Sequence, residues 1–117
     1  MFIFKRVKAC FLLIFVLVNI FYIAPCYSIS FREDLFKNAL DLSSAGKFNL
    51  ALQEWNRYLD SYPDDAAGLS NRGNVRLVIG DLEGSIDDQN KAISLDPSEI
   101  DPYINRGIAE EALGLWT

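Results

Sequence analysis

Apolar residues change their spacing once along this chain. From Ala9 to Ala24 they are continuous apart from Asn19, whereas from Phe31 onward they recur at three- and four-residue intervals. The second pattern is that of helices with one buried face. Phe31, Leu35, Phe36, Ala39, Leu40 and Leu42 form one stripe, which predicts a helix over about 31–44, ended by Ser43, Ser44 and Gly46. A second helix over about 48–62 presents Phe48, Ala51, Leu52, Trp55, Tyr58 and Leu59 inward. Pro63 stops it, and Asp64 and Asp65 supply a cap for the next. Further helices are predicted over about 66–79 and 82–95, separated by Gly80 and Asp81 and followed by Pro97. A fifth starts with Asp101 as cap and Pro102 as first helical residue, and runs to Gly114. Connections this short force consecutive helices to pack antiparallel. The expected fold class is therefore all-α, built of stacked antiparallel helical hairpins.

The hairpins repeat with a fixed period. Gly46, Gly80 and Gly114 are 34 residues apart, as are Phe48, Leu82 and Trp116; Pro63 pairs with Pro97 and Gly73 with Gly107 at the same interval. Within 66–99 the pattern includes Leu69, Asn71, Gly73 and Asn74 on the first helix, Gly80 and Asp81 at the turn, then Ala92, Leu95, Asp96 and Pro97. Gly73 and Ala92 let the two helices of the hairpin approach closely. The first unit matches through Leu35, Ala39, Gly46, Phe48, Ala51, Trp55 and Pro63. This segment resembles the tetratricopeptide repeat, whose period is also 34 residues. The resemblance covers residues 32 to 117, as units of about 32–65, 66–99 and an incomplete 100–117. Arg76 and Glu110 stand where that family usually has an aromatic, and Ser85 replaces its small Ala; local weakening of the packing is expected there.

Tetratricopeptide domains bind peptides or partner proteins in a groove lined by the first helix of each hairpin. By position, the resemblance places Phe36 and Leu40 in that groove from the first unit, Ser70, Asn71, Asn74 and Leu77 from the second, and Ile104, Asn105 and Ile108 from the third. Asn suits the task because its amide offers both a donor and an acceptor to an extended backbone. Leu40, Leu77 and Ile108 equally suit ordinary inter-repeat core. A subgroup of the family clamps the C-terminal carboxylate of chaperones with Lys, Asn and Arg. Phe36, Leu40, Asp101 and Asn105 occupy four of those positions here and only Asn71 agrees, which disfavours a chaperone tail.

Residues 1–28 have another character. Lys5, Arg6 and Lys8 precede the apolar run, and Pro25, Cys26 and Ser28 follow it, the order of an export signal. A helix of that length covers about 24 Å, short of a bilayer core, so a cleaved signal is favoured over a permanent anchor. Cleavage after Ser28 fits best and cleavage after Cys26 is the close competitor. Ile23, Ala24, Pro25 and Cys26 also approach a bacterial lipoprotein box, with Pro25 against it. Either way the domain 29–117 is expected across the membrane, touching it only through the N-terminal segment.

Charge and residue usage narrow the function. Of 11 Lys and Arg, the three just named precede the repeats, leaving 8 against 16 Asp and Glu, a net charge of −8. Such a balance argues against nucleic acid and anionic lipid as partners. The chain has no His, and both cysteines, Cys10 and Cys26, lie in the leader. Imidazole and thiol chemistry and most metal sites are thereby removed, and no enzymatic activity and no cofactor or metal is expected. The carboxylate pairs Asp87–Asp88 and Glu110–Glu111 read as solvated helix faces, and Trp55 and Trp116 as core.

Two complete hairpins and one further helix fall below the roughly three repeats a solenoid usually needs. Leu113, Leu115 and Trp116 would lack a covering helix, at about 1.5 to 3 kcal/mol for each large apolar side chain left exposed. A truncated product or fragment of a longer array is one expectation. Cover from a partner or a second copy is the other. The functional expectation is an exported binding scaffold, for which the resemblance to exported tetratricopeptide proteins suggests a role in assembly or maturation of membrane complexes; a membrane-anchored structural subunit is the alternative.

Overall fold

The computed structural model describes residues 31–114, so the leader, its cysteines and Trp116 lie outside the described residues. The chain divides into two compact units, Met1–Glu33 and Asp34–Thr117, and the second carries the repeats. Helix α1 covers 31–44. It is followed by α2 (Phe48–Ser61), α3 (Ala66–Ile79), α4 (Leu82–Leu95) and α5 (Asp101–Ala112). Among the described residues the fold is all-helical, as the apolar spacing predicts.

The helix ends follow local chemistry. Gly46 and Gly80 have φ of 72° and 87°, which permits the same closing motif at both. After α1, Gly46 N–H donates to Ser43 O and Lys47 N–H to Leu42 O; after α3, Gly80 N–H donates to Leu77 O and Asp81 N–H to Arg76 O. The two motifs are one repeat apart, residue for residue. Asp65 caps α3 by accepting from Gly68 N–H at 2.7 Å, and its other oxygen accepts from Tyr58 Oη at 2.8 Å, tying the cap to α2. Asp64 pairs with Lys91 at 3.2 Å instead of capping.

The start of α5 departs from expectation. Ile100 takes the capping position with helical dihedrals and no side-chain bond, which makes Asp101 the first helical residue and Pro102 the second. The missing proline N–H still falls within the first turn, where it has no intrahelical partner to lose, and Asp101 gains the favourable end of the helix dipole.

The core lies between the stripes. Leu35, Ala39, Ala51, Trp55, Tyr58, Leu59, Leu69, Val75 and Ala92 are buried together. Trp55 is fully enclosed, with its ring edge-on to Phe36 and Tyr58, and its Nε1–H donates to Ser43 Oγ at 3.0 Å. Gly73 performs the predicted close approach: a Cβ there would stand 2.5 Å from Gln89 Nε2 and 3.1 Å from Asp88 Cβ.

Two sequence readings need correction. Asp88 is not on a solvated face. It is 4% exposed and accepts from Arg72 Nε at 2.9 Å and Arg72 Nη2 at 2.7 Å. Arg76 Nη1 approaches the same carboxylate at 3.0 Å and also donates to Gly84 O. Arg76 therefore replaces the usual aromatic with a charged tie between α3 and α4, so packing there is exchanged for an ion network, not lost. Ser85, the second departure, is fully buried, and its Oγ has no partner among the described residues. A repeat-wide tie joins neighbouring hairpins: Arg72 Nη1 donates to Asn56 Oδ1 at 3.1 Å, and Arg106 Nη1, one period on, donates to Asn90 Oδ1 at 2.8 Å.

Candidate functional site

Helix α3 opens the α3–α4 hairpin and α5 follows it, and between α3 and α5 opens a groove of about 340 Å³. Ala66, Ala67, Ser70, Asn71 and Asn74 line it from α3; Pro102 and Asn105 line it from α5. Asp96 and Glu99 enter from the α4–α5 connection and Asp101 from the first turn of α5. The small Ala66, Ala67 and Ser70 leave the space that a bulkier first turn of α3 would fill.

Four predicted groove residues, Ser70, Asn71, Asn74 and Asn105, are thus brought together. Asn71 Nδ2 donates to Ala67 O at 2.9 Å within its own helix. The side-chain amides of Asn74 and Asn105 hold no hydrogen bond among the described residues, so both keep donors and acceptors open to a ligand.

The other five predictions fare differently. Phe36 turns into the core, its ring centroid 5.0 Å from that of Trp55 and 5.3 Å from that of Tyr58. An aromatic next to two large rings gains more from edge-to-face packing than from solvent. Leu77 is half-buried on α3. Leu40, Ile104 and Ile108 are 39%, 53% and 49% exposed, too open to be ordinary core and outside the groove's lining. Leu40, Asn74 and Ile108 share one repeat position, so the exposed apolar side chains of α1 and α5 stand in register with the amide of α3.

Sequence reasoning did not find Asp96 and Glu99, because it considered only the first helix of each hairpin. Their signal lies in the connection itself. Asp96 Oδ1 accepts from both Ser98 N–H at 3.1 Å and Ser98 Oγ at 2.6 Å, a turn that the Asp-Pro-Ser run announces. These bonds from Ser98, the hydroxyl first and the backbone second, hold the Asp96 carboxyl below its ordinary pKa.

A second recess of about 330 Å³ lies between α2, α3 and α4. Its cations are engaged: Arg72 and Arg76 share Asp88, and Lys91 Nζ donates to Pro63 O at 2.8 Å and pairs with Asp64. Among the described residues no cluster of His, Cys, Asp and Glu is placed to hold a metal ion, and no helix is long and apolar enough to cross a membrane.

No protein-family model matches the chain. Tetratricopeptide repeat protein 36 of Danio rerio is 30% identical over 63 residues, which cover 54% of this chain and 34% of that protein. Among solved structures, the first tetratricopeptide domain of Spaghetti (RPAP3), bound to the HSP90 peptide SRMEEVD, superposes with a TM-score of 0.67 at 23% identity, covering 70% of this chain and 65% of that one. The TPR2B domain of yeast Sti1, in its complex with pHsp70, gives a TM-score of 0.67 at 26% identity, covering 70% and 66%. The chain thus spans about a third of the curated relative and just under two thirds of the solved chains. Period, helix order, closing motifs and these likenesses agree: the described residues adopt the tetratricopeptide-type fold.

Proposed function

We propose that this protein is a binding scaffold that holds a segment of a partner protein in the groove between α3 and α5. The observation that carries this reading is the groove itself, where Asn74 and Asn105 present open amides beside Asn71 and Ser70. An extended peptide needs such paired donors and acceptors along its backbone. The solved relatives of this fold that hold HSP90 and pHsp70 ligands add support. Exposed Ile104 and Ile108 on α5 suit apolar side chains of the ligand, or contact with a second copy of the chain.

The order of basic, apolar and small residues over 1–28 supports an exported scaffold acting on partners across a membrane, and the resemblance to exported tetratricopeptide proteins suggests assembly or maturation of membrane complexes as its setting. Retention of that segment would make the chain a membrane-tethered subunit, and the N-terminal residue of the mature protein separates the two. The groove is tested by affinity capture with the protein and with its Asn71→Ala/Asn74→Ala variant. Capture should weaken while helix content by circular dichroism stays constant. Equal capture by both would contradict the reading.

A further inference from the structure

The groove has a charge of one sign. Asp96, Glu99 and Asp101 line it, and no Lys or Arg does. None of the three is ion-paired among the described residues, whereas most described cations are engaged with other carboxylates: Arg72 and Arg76 with Asp88, Lys91 with Asp64, Arg106 with Glu110 and Arg57 with Glu54. Lys37, at the repeat position of Asn71 on α1, is 2.8 Å from Asp41 and does not line the groove.

We infer that the segment held in this groove is basic, an extended peptide whose Lys or Arg side chains meet Glu99, Asp101 and Asp96 while its backbone meets the Asn amides. The inference rests on the groove being the peptide site, and adds the chemical class of its occupant. An acidic segment would bring its carboxylates against three unneutralised ones, and like charges brought together across an interface oppose binding. The charged end of a basic side chain reaches the carboxylates, while the backbone that carries it runs past Asn71, Asn74 and Asn105 in the same recess. The net −8 of the repeat region adds a field that draws a cationic partner and repels an anionic one.

The test uses the full chain in nonionic detergent and three fluorescent decapeptides of Gly and Ser that differ only in three positions, all Lys, all Gln or all Glu. Binding is followed by anisotropy. The Lys peptide should bind about tenfold more tightly than the Gln peptide, an advantage that shrinks in about 0.3 M salt, and the Glu peptide should bind least. Glu99→Gln/Asp101→Asn should remove most of the Lys peptide's advantage over the Gln peptide, the remainder resting on Asp96, without altering helix content. Asn71→Ala/Asn74→Ala should weaken the Lys and Gln peptides alike. A Lys preference that is absent, or that Glu99→Gln/Asp101→Asn leaves undiminished, overturns the basic-partner inference. If the Asn substitutions still weaken binding in that case, the groove stands as the site and only its charge preference falls. Binding indifferent to both variants, or no binding of the Lys peptide at about 1 mM, overturns both.

Discussion

Arg72 and Asp88, on adjacent helices and 16 residues apart, meet in a two-point ion pair at 2.7 and 2.9 Å, with Asp88 only 4% exposed. A planar guanidinium matched to both carboxylate oxygens is the strongest polar tie between α3 and α4. Asp88→Ala leaves Arg72 and Arg76 without their shared partner, and should destabilise the fold by about 3–5 kcal/mol. Arg72→Ala should do less, since Arg76 still approaches Asp88 at 3.0 Å. The midpoint of urea unfolding measures both, and equal midpoints for Asp88→Ala and the unaltered protein would contradict the assignment.

Gly73 and Gly107 occupy the same repeat position in unlike surroundings. At Gly73 a Cβ meets the fully buried Gln89, so Gly73→Ala should destabilise by about 1–3 kcal/mol despite the better helix propensity of Ala. At Gly107 no described atom lies within 4 Å, so Gly107→Ala should stabilise by about 0.5–1 kcal/mol. Thermal unfolding of the two variants should shift in opposite directions.

Ser43 anchors the indole of Trp55 from α1, accepting from Nε1–H at 3.0 Å and donating to Ala39 O at 2.8 Å. Ser43→Ala strands the indole N–H beside a closed core. The expected loss is about 1–3 kcal/mol. A shift of the melting temperature downward, together with a changed near-ultraviolet circular dichroism band, checks it.

Helix positions were legible in the sequence because glycines, prolines and Asp65 fix chain direction locally: α3 and α4 begin and end where the residue pattern places them. Asp88 was not, because residue type outweighed spacing. Ser85, Asp88, Gln89 and Ala92 form a helical stripe that is buried as a whole, and three of its four members are polar. Its meaning depends on Arg72 and Arg76 from another helix, a relation that no local pattern carries. The groove was half legible for the same reason. Asn71, Asn74 and Asn105 follow from repeat register, but Phe36 leaves that register for the aromatic cluster around Trp55, and Asp96 and Glu99 reach the groove only through the path of the α4–α5 connection.

Asp96 should titrate below an ordinary aspartate, because Ser98 donates to its ionised form. With the folded pKa depressed, the contribution of this turn is fully present above the unfolded value of about 3.9 and is lost as pH falls through the lower folded value. Carboxyl carbon shifts in a nuclear magnetic resonance titration should show the low midpoint. Ser98→Ala should return it toward the ordinary value; an unchanged midpoint would refute the stated cause.

The groove between α3 and α5 is tested most directly by mapping amide shifts of the full chain in nonionic detergent as the Lys decapeptide is added. The account predicts saturable changes at Ser70, Asn71, Asn74 and Asn105, on the walls of the recess that holds Asp96 and Glu99. Changes centred instead on Arg72, Asp88 and Lys91, or none at any concentration, would contradict it.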